Sequence, residues 1–246
     1  MAAAGATIEL ADLAEQALAE TRDALRASGA TVRTHRVDVT DLAQIHALRD
    51  AIHAGGDRID VLVNNAGLVH GGAFLAVPFE KHATTYRVNV LGLVAMTHAF
   101  LPDLIAGRDG HVVNVASASA FIGLPYGATY ASSKWAVLGF SESLALELAL
   151  EGHRHVHVTA LCPSYVATGL FEGARPPLGT RLLTPERVAE RTVAAVLANR
   201  PCVSMPWLAQ VTPILKGVAP FGLFYRVASL LGVNTSMMQW RGRPPE

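Results

Sequence analysis

The sequence predicts an α/β protein in which helices cover both faces of a doubly wound parallel sheet. Short apolar segments alternate along the chain with longer segments of helical periodicity. This alternation is typical of parallel sheets, because each strand must return through a crossover helix. With 246 residues, of which 51% are apolar and 16% charged, the chain can bury a substantial core. We therefore expect residues 1–246 to form one domain.

The predicted elements follow in a regular order. The strands are short and apolar, and lie at residues 6–11, 31–37, 59–63, 111–115, 156–161 and near Val203. The helices fill the intervals, at residues 13–27, 42–54, 80–106, 130–151 and 185–198. Ser28-Gly29 and Gly55-Gly56 end the first two helices. Asn89 interrupts an apolar helical stretch, and we expect the third helix to be broken there.

Tyr130 and Lys134 lie four residues apart, so in a helix their side chains share one face. A phenol has a pKa near ~10, and a neighbouring ammonium lowers that pKa by favouring the phenolate. Ser117, at the end of a predicted strand, supplies a hydroxyl that could hold a substrate oxygen. The chain has three lysines against seventeen arginines, which makes a lysine at this position more informative. These residues predict proton transfer to or from an alcohol or carbonyl.

Residues 112–134, with Asn64-Asn65-Ala66-Gly67 upstream, resemble the short-chain dehydrogenase/reductase family. The resemblance implies a Rossmann-like, dinucleotide-binding domain and a nicotinamide-dependent oxidoreductase. In that family the residue matching Tyr130 transfers the hydroxyl proton, and the residue matching Ser117 orients the oxygen. The residue matching Lys134 lowers the tyrosine pKa and contacts the nicotinamide ribose. The resemblance also makes Asn89 a helix-bending residue that holds a proton-relaying water.

The resemblance assigns further positions to the cofactor. Besides Tyr130 and Lys134, they are Asp12, Asp38, Asn64, Ala66, Gly67, Val166 and Thr168. An acid at the end of the first predicted strand hydrogen-bonds ribose hydroxyls and disfavours a 2′-phosphate, so Asp12 predicts NAD rather than NADP.

Simpler roles remain open at several of these positions. Asp12 with Glu15 also suits a helix cap, and Asp38 suits a turn ahead of Thr40, which could cap the next helix. Asn64 to Gly67 would otherwise be an ordinary turn, and the amide of Asn89 could satisfy buried backbone groups.

One family motif has no counterpart in this sequence. The family's first strand, its first helix and the Thr-Gly-x-x-x-Gly-x-Gly turn between them, whose amides hold the pyrophosphate, are missing. The sequence begins at what resembles the second strand. A start codon placed too far downstream would explain this, and the intact later motifs favour it. The alternative is a shortened, non-catalytic scaffold or oligomer-forming relative. We expect residues 6–11 to close toward residues 59–63, since unpaired buried backbone groups cost about 1–3 kcal/mol each.

The last third of the chain indicates the substrate class. The stretch from Cys162 to Phe171 has Ser164 where the family usually has glycine, and it resembles the retinol and 17β-hydroxysteroid dehydrogenase subgroup. Residues 231–237 and Gly242-Arg243 resemble it too. The resemblance implies a lipophilic secondary alcohol or ketone, or a retinoid-like primary alcohol. Residues 205–246 are apolar but interrupted, so they could cover the substrate pocket, lie on a membrane surface or join a homo-oligomer interface.

Composition argues against several other classes. The formal net charge is zero without a basic block, which disfavours nucleic acid. Two cysteines and the lack of a basic, apolar leader predict a reducing, cytoplasmic location. His153, His155 and His157 alternate and would share one strand face, but their distance in sequence from Tyr130 favours a solvated strand end. We therefore predict no metal site.

Overall fold

The computed structural model describes residues 1–242, so Arg243 lies outside the described residues. Every pairing between its strands is parallel. The strands are β1 (Ile8–Asp12), β2 (Val32–Arg36), β3 (Val61–Asn64), β4 (Gly110–Val115), β5 (Val156–Pro163) and β6 (Cys202–Met205). The α-helices are α1 (Glu15–Ala27), α2 (Leu42–Ala54), α3 (Phe79–Tyr86), α4 (Leu93–Ala106), α5 (Ala128–Leu150), α6 (Pro185–Leu197), α7 (Trp207–Val218) and α8 (Phe221–Leu230). The predicted α/β class is confirmed.

The strands form two sheets rather than one. β1 pairs with β2 alone, while β3, β4, β5 and β6 follow one another in a four-stranded sheet. The expected closure of β1 onto β3 is therefore wrong, because within residues 1–242 neither strand pairs with the other. Val63 on β3 stays 44% exposed, although the three residues before Asn64 in this strand are all apolar. Within residues 1–242, β1 and β3 therefore each have one edge that is not paired with another strand.

The two sheets are joined by helix packing. Ile45, Leu48 and Ile52 of α2 belong to the same buried cluster as Phe100 and Leu104 of α4. Asp103 of α4, whose side chain is 2% exposed, accepts hydrogen bonds from His53 Nε2 at 2.8 Å and Arg58 Nη1 at 3.0 Å. Burial of the apolar side chains of α2 and α4 contributes about 1.5–3 kcal/mol for each. This packing holds the β1–β2 unit against the larger sheet, although the two sheets share no strand pairing.

Two helices, α2 and α6, begin at a side chain that caps their first turn. Asp41, rather than Thr40, caps α2, since its carboxylate accepts from Ala43 N and Gln44 N. Asp38 instead binds Thr40, accepting from its backbone N at 2.8 Å and its hydroxyl at 2.7 Å. Thr184 caps α6, with Pro185 in the first turn.

The third predicted helix is interrupted where the sequence places Asn89. A π-helical segment, Arg87–Gly92, joins α3 to α4. Such single-turn π segments are rare and frequently occur at functional sites. By length and hydropathy, the stretch Phe79–Ala106 could cross a membrane, but half of its most apolar window is buried inside the protein, as in a core helix.

A chain of buried amides fixes the centre of the larger sheet. Asn64 Nδ2 donates to Asn114 Oδ1 and to Thr97 Oγ1, both at 2.9 Å. Asn114 Nδ2 in turn donates to Ser141 Oγ of α5 at 2.9 Å. The register of β3 on β4, and of α5 on β4, therefore depends on one side chain, Asn114, which is fully buried.

Replacing Asn114 with alanine should destabilise the fold by about 2–4 kcal/mol, because it leaves a cavity and removes partners of two buried polar groups. Urea unfolding would measure the loss. Gln16→Ala, on the exposed surface of α1, is the control and should stay within about 0.5 kcal/mol of the wild type. Equal effects of the two changes would show that the amide chain contributes nothing to stability.

Candidate active site

Ser117, Tyr130 and Lys134 meet at the carboxyl end of the larger sheet. β4 ends at Val115, and Ser117 follows it with its hydroxyl toward the Pro163 carbonyl of β5, at 3.4 Å. α5 begins at Ala128, so Tyr130 and Lys134 lie in its first two turns. All three side chains are buried, with Tyr130 and Lys134 each 5% exposed. The structure thus brings the predicted catalytic residues together.

Burial controls the acidity of Tyr130. It raises the pKa of the phenol to about 12, while the hydrogen bond with Ser117 acts in the opposite direction. The expected lowering by Lys134 is not found in the described chain. Lys134 Nζ lies 5.8 Å from the ring centroid, and the cost of burying a phenolate exceeds its effect. Tyr130 is therefore a proton donor in this state.

Lys134 carries an ammonium in an apolar setting. Burial lowers its pKa to about 8. Within the described residues its one hydrogen bond goes to the Val115 carbonyl, at 2.7 Å. An ammonium has three donors, so two remain for a bound molecule. Gly67 makes room beside it, because a Cβ at that position would lie 3.4 Å from Lys134 Nζ.

Asn89 connects the π segment to this group. Its Oδ1 accepts from Leu68 N at 2.9 Å, and its Nδ2 donates to Leu68 O and Ser133 Oγ, both at 3.0 Å. Asn89 Oδ1 would also lie 3.4 Å from a Cβ on Gly67. The amide therefore satisfies backbone groups and fixes the Gly67 loop against Lys134, which is the simpler of the two roles that the sequence left open; the water-holding role stays a prediction.

The other proposed cofactor positions lie at or just after the carboxyl ends of four strands, β1, β2, β3 and β5. Asp12 ends β1 and is exposed; its Oδ1 accepts from Ala14 N at 3.0 Å, which orders the turn into α1. Ala66 and Gly67 are exposed in the loop after β3, whereas Asn64 is buried in the amide chain. Asp38 is half-buried and holds its own turn. Asp12 and Asp38 thus have structural roles that do not depend on a ligand.

Val166 and Thr168 follow β5 on the opposite side of the site. Val166 forms an isolated parallel bridge with Leu183, and Thr168 N donates to Val166 O at 2.9 Å. Thr168 is exposed. The backbone here is held in place before any ligand binds.

Apolar side chains cover Tyr130, some of them from residues 205–246, which the sequence offered as a possible cover of the substrate pocket. Phe171 meets the Tyr130 ring edge-on at 5.6 Å, and Met237, which is 1% exposed, packs in the same cluster. Trp240 Nε1 donates to Leu170 O at 3.1 Å. Gly173, with φ 81°, lets the chain pass so closely that a Cβ would lie 2.0 Å from Gln239 O. In the sequence, the apolar composition of residues 205–246 was the only indication of a cover over the site.

The three alternating histidines do not share a strand. β5 begins at Val156, so His153 and His155 precede it, and His155 Nε2 pairs with Ile105 O at 3.0 Å. His157 Nε2 lies 3.8 Å from Asp109. Among residues 1–242 no three histidine, cysteine, aspartate or glutamate side chains cluster as metal ligands do.

Comparison with known proteins assigns this geometry to a family. The model of the family described as short chain dehydrogenase matches residues 1–178. The chain is a member of the short-chain dehydrogenase/reductase family. It is therefore an oxidoreductase, and the subgroup resemblance is supported by the relatives described next.

The relatives share about a third of their residues with this chain. Epidermal retinol dehydrogenase 2 of Mus musculus is 31% identical over 232 residues, covering 93% of this chain and 75% of that protein. Estradiol 17-beta-dehydrogenase 11 of Rattus norvegicus is 34% identical over 210 residues, covering 85% and 70%. A short-chain dehydrogenase/reductase from Burkholderia phymatum, solved in complex with NAD, superposes with a TM-score of 0.77 at 28% identity, covering 100% of this chain and 90% of that one.

The residues around Lys134 fit a nicotinamide dinucleotide. Two ammonium donors are free of protein partners among the described residues, and the absent Cβ of Gly67 leaves space beside them. Lys134 and Tyr130 would hold the ribose, and the backbone near Val166 the carboxamide. Residues 1–242 contain no glycine-rich phosphate turn of the family pattern.

Stability should rise with pH through the titration of Lys134. Its pKa is about 8 in the fold against 10.5 for the free group, so between these values the unfolded chain binds more protons. Compared with Lys134→Met, the wild type should gain about 2–3 kcal/mol of unfolding free energy from pH 7 to pH 10.5. Urea titrations of both proteins at the two pH values measure this difference. A difference that does not change with pH would mean that the ammonium is not desolvated.

Proposed function

We propose that this oxidoreductase transfers a hydride between a nicotinamide cofactor and a lipophilic alcohol or ketone. The observation that carries the proposal is the position of Tyr130 beside Ser117 and Lys134, beneath an apolar cover. The substrates are secondary alcohols and ketones, or retinoid-like primary alcohols. The names of the retinol and estradiol dehydrogenases among the relatives support this class.

The chain's own residues supply the proton chemistry. In the direction of carbonyl reduction, Ser117 Oγ donates a hydrogen bond to the substrate oxygen, and Tyr130 Oη gives it a proton. The ammonium of Lys134 stabilises the phenolate that remains and then gives it a proton, and Asn89 supports the path that returns a proton from solvent to Lys134. The bound nicotinamide supplies or accepts the hydride at the substrate carbon. Val69, Leu124, Phe171 and Met237 exclude water around the oxygen.

The proposal extends to the setting in which the protein works. We place it in the cytoplasm, as a homo-oligomer with peripheral membrane contact through its C-terminal segment. The exposed apolar side chains of α7 and α8 support an interaction surface there, and both cysteines are free.

A second candidate function is a non-catalytic scaffold. The open backbone edges of β1 and β3, and the absence of a glycine-rich turn from residues 1–242, favour it. Losing two charge-assisted bonds to the pyrophosphate, at about 1.5–3 kcal/mol each, would weaken cofactor binding by about two to four orders of magnitude. A parallel strand inserted between β1 and β3 and followed by such a turn would restore these bonds.

We expect the 246-residue chain to show little or no dehydrogenase activity at ordinary cofactor concentrations. A chimera that places a strand, a Thr-Gly-x-x-x-Gly-x-Gly turn and a crossover helix before residue 1 should oxidise long-chain secondary alcohols, because it regains the amide donors. In the chimera, Tyr130→Phe should lower kcat at least about 1,000-fold, since the proton donor is lost. NADH absorbance measures both rates.

Tyr126→Phe in the same chimera is the matched control, because Tyr126 is exposed in the loop before α5 and should not affect turnover. A folded chimera with no activity would favour the scaffold. A chain without the added strand that turns over as fast as intact relatives would show that another segment supplies the phosphate site.

Cofactor preference should be NAD, because the carboxylate of Asp12 at the end of β1 repels a 2′-phosphate. In the chimera, kcat/KM for NAD should exceed that for NADP by at least about tenfold, and Asp12→Ser should narrow the ratio. Equal or better use of NADP by the unsubstituted protein would overturn the assignment.

A further inference from the structure

Helices α7 and α8 expose two apolar stripes. On α7, Trp207, Ile214 and Val218 are 64%, 66% and 76% exposed, and their spacing of i, i+7 and i+11 places them on one side. On α8, the stripe consists of Leu223, Val227 and Leu230 at i, i+4 and i+7. Single exposed apolar side chains are common on protein surfaces, but contiguous apolar stripes on consecutive helices indicate an interaction surface.

The opposite faces of the two helices hold them to the protein. Phe224 and Ala228 of α8 are buried, at 9% and 5% exposure, as is Ala209 of α7. Lys216 places its ammonium 3.9 Å from the Trp135 ring of α5, which ties α7 to the body of the domain. The outward stripes are therefore presented on anchored helices.

The segment of the chain that carries α7 and α8 has charges of one sign. From Arg191 to Gly242 the sequence contains five basic residues and neither aspartate nor glutamate. Arg226 is exposed at the edge of the α8 stripe, and no ion pair in residues 1–242 involves it. If two copies met through these stripes about a twofold axis, the Arg226 side chains would approach one another without a carboxylate from this segment. An anionic surface complements the charge instead.

We propose that α7 and α8 dock on an anionic lipid bilayer, with Trp207, Ile214, Val218, Leu223, Val227 and Leu230 in the headgroup boundary. Amphipathic helices with such stripes lie in the plane of the interface and combine apolar burial with attraction to acidic lipids. This deepens the proposed membrane contact by fixing its residues and the charge of the lipid.

Docking would serve the proposed function. A groove of about 610 Å³ lies between α5 and α8, and its lining includes Leu124, Ala131 and Tyr225. Leu124 and Ala131 also pack in the cluster that contains Tyr130. The bilayer in which lipophilic alcohols partition would then adjoin a groove beside the active site. The role of docking in substrate access rests on the proposed function, whereas the docking of α7 and α8 on a bilayer does not.

Vesicle co-sedimentation tests the docking with no need for dehydrogenase activity. The 246-residue protein should bind vesicles of phosphatidylcholine with 30% phosphatidylglycerol at least about fivefold more tightly than phosphatidylcholine alone. Leu230→Asp should weaken binding about 10- to 100-fold, the ratio that corresponds to loss of one buried leucine side chain. Arg226→Gln should reduce the preference for anionic vesicles about fivefold while leaving binding to phosphatidylcholine unchanged.

Leu150→Asp is the matched control, because Leu150 is 89% exposed at the end of α5, away from the stripes, and its replacement should leave vesicle binding unchanged. Circular dichroism confirms that each variant is folded. The proposal would be overturned if the protein bound neither kind of vesicle or bound both equally tightly. It would also be overturned if Leu230→Asp and Leu150→Asp weakened vesicle binding to the same extent. A dimer that forms without lipid and dissociates on Leu230→Asp would overturn it too. Vesicle binding by a protein that proves inactive would leave docking intact and refute only the proposed function.

Discussion

The site depends on the burial of one ammonium. Among the described residues, the one hydrogen bond of Lys134 goes to the Val115 carbonyl at the end of β4. A Cβ on Gly67 would touch Lys134 Nζ and Asn89 Oδ1, at 3.4 Å from each, so a side chain there would fill the space beside the ammonium. The π segment places Asn89 to hold that loop. The end of β4, Gly67 and the π segment thus together accommodate the buried ammonium of Lys134.

The residues for proton transfer and the two acids proposed for the cofactor lie on different units of the fold. Ser117, Tyr130 and Lys134 are assembled entirely from the β3–β6 sheet and α5, without help from β1 or β2. Asp12 and Asp38 lie on the other unit, which is attached through α2 and α4. The residues for proton transfer are therefore assembled independently of the unit that carries Asp12 and Asp38.

Local patterns in the sequence predicted most of what was local in the structure. The alternation of strands and helices, the pairing of Tyr130 with Lys134 in α5 and the interruption at Asn89 all depend on short-range spacing. The failed expectations concerned long-range packing. Pairing of β1 with β3 was expected from backbone satisfaction alone, but strand pairing also requires a connection that brings the edges together. The raised pKa of Tyr130 depends on Phe171 and Met237, which lie 41 and 107 positions further along the chain.

A titration of the Tyr130 phenol is the most direct test of the claim that burial governs this site. With tyrosines labelled at ¹³Cζ and Tyr130→Phe used to assign the signal, the chemical shift of Tyr130 would be followed from pH 7 to pH 12 by NMR. The account predicts that the phenol remains protonated until its pKa of about 12, because the phenolate is desolvated. Ionisation at or below pH 10 in the chain alone would contradict it, and would show that Lys134 outweighs burial.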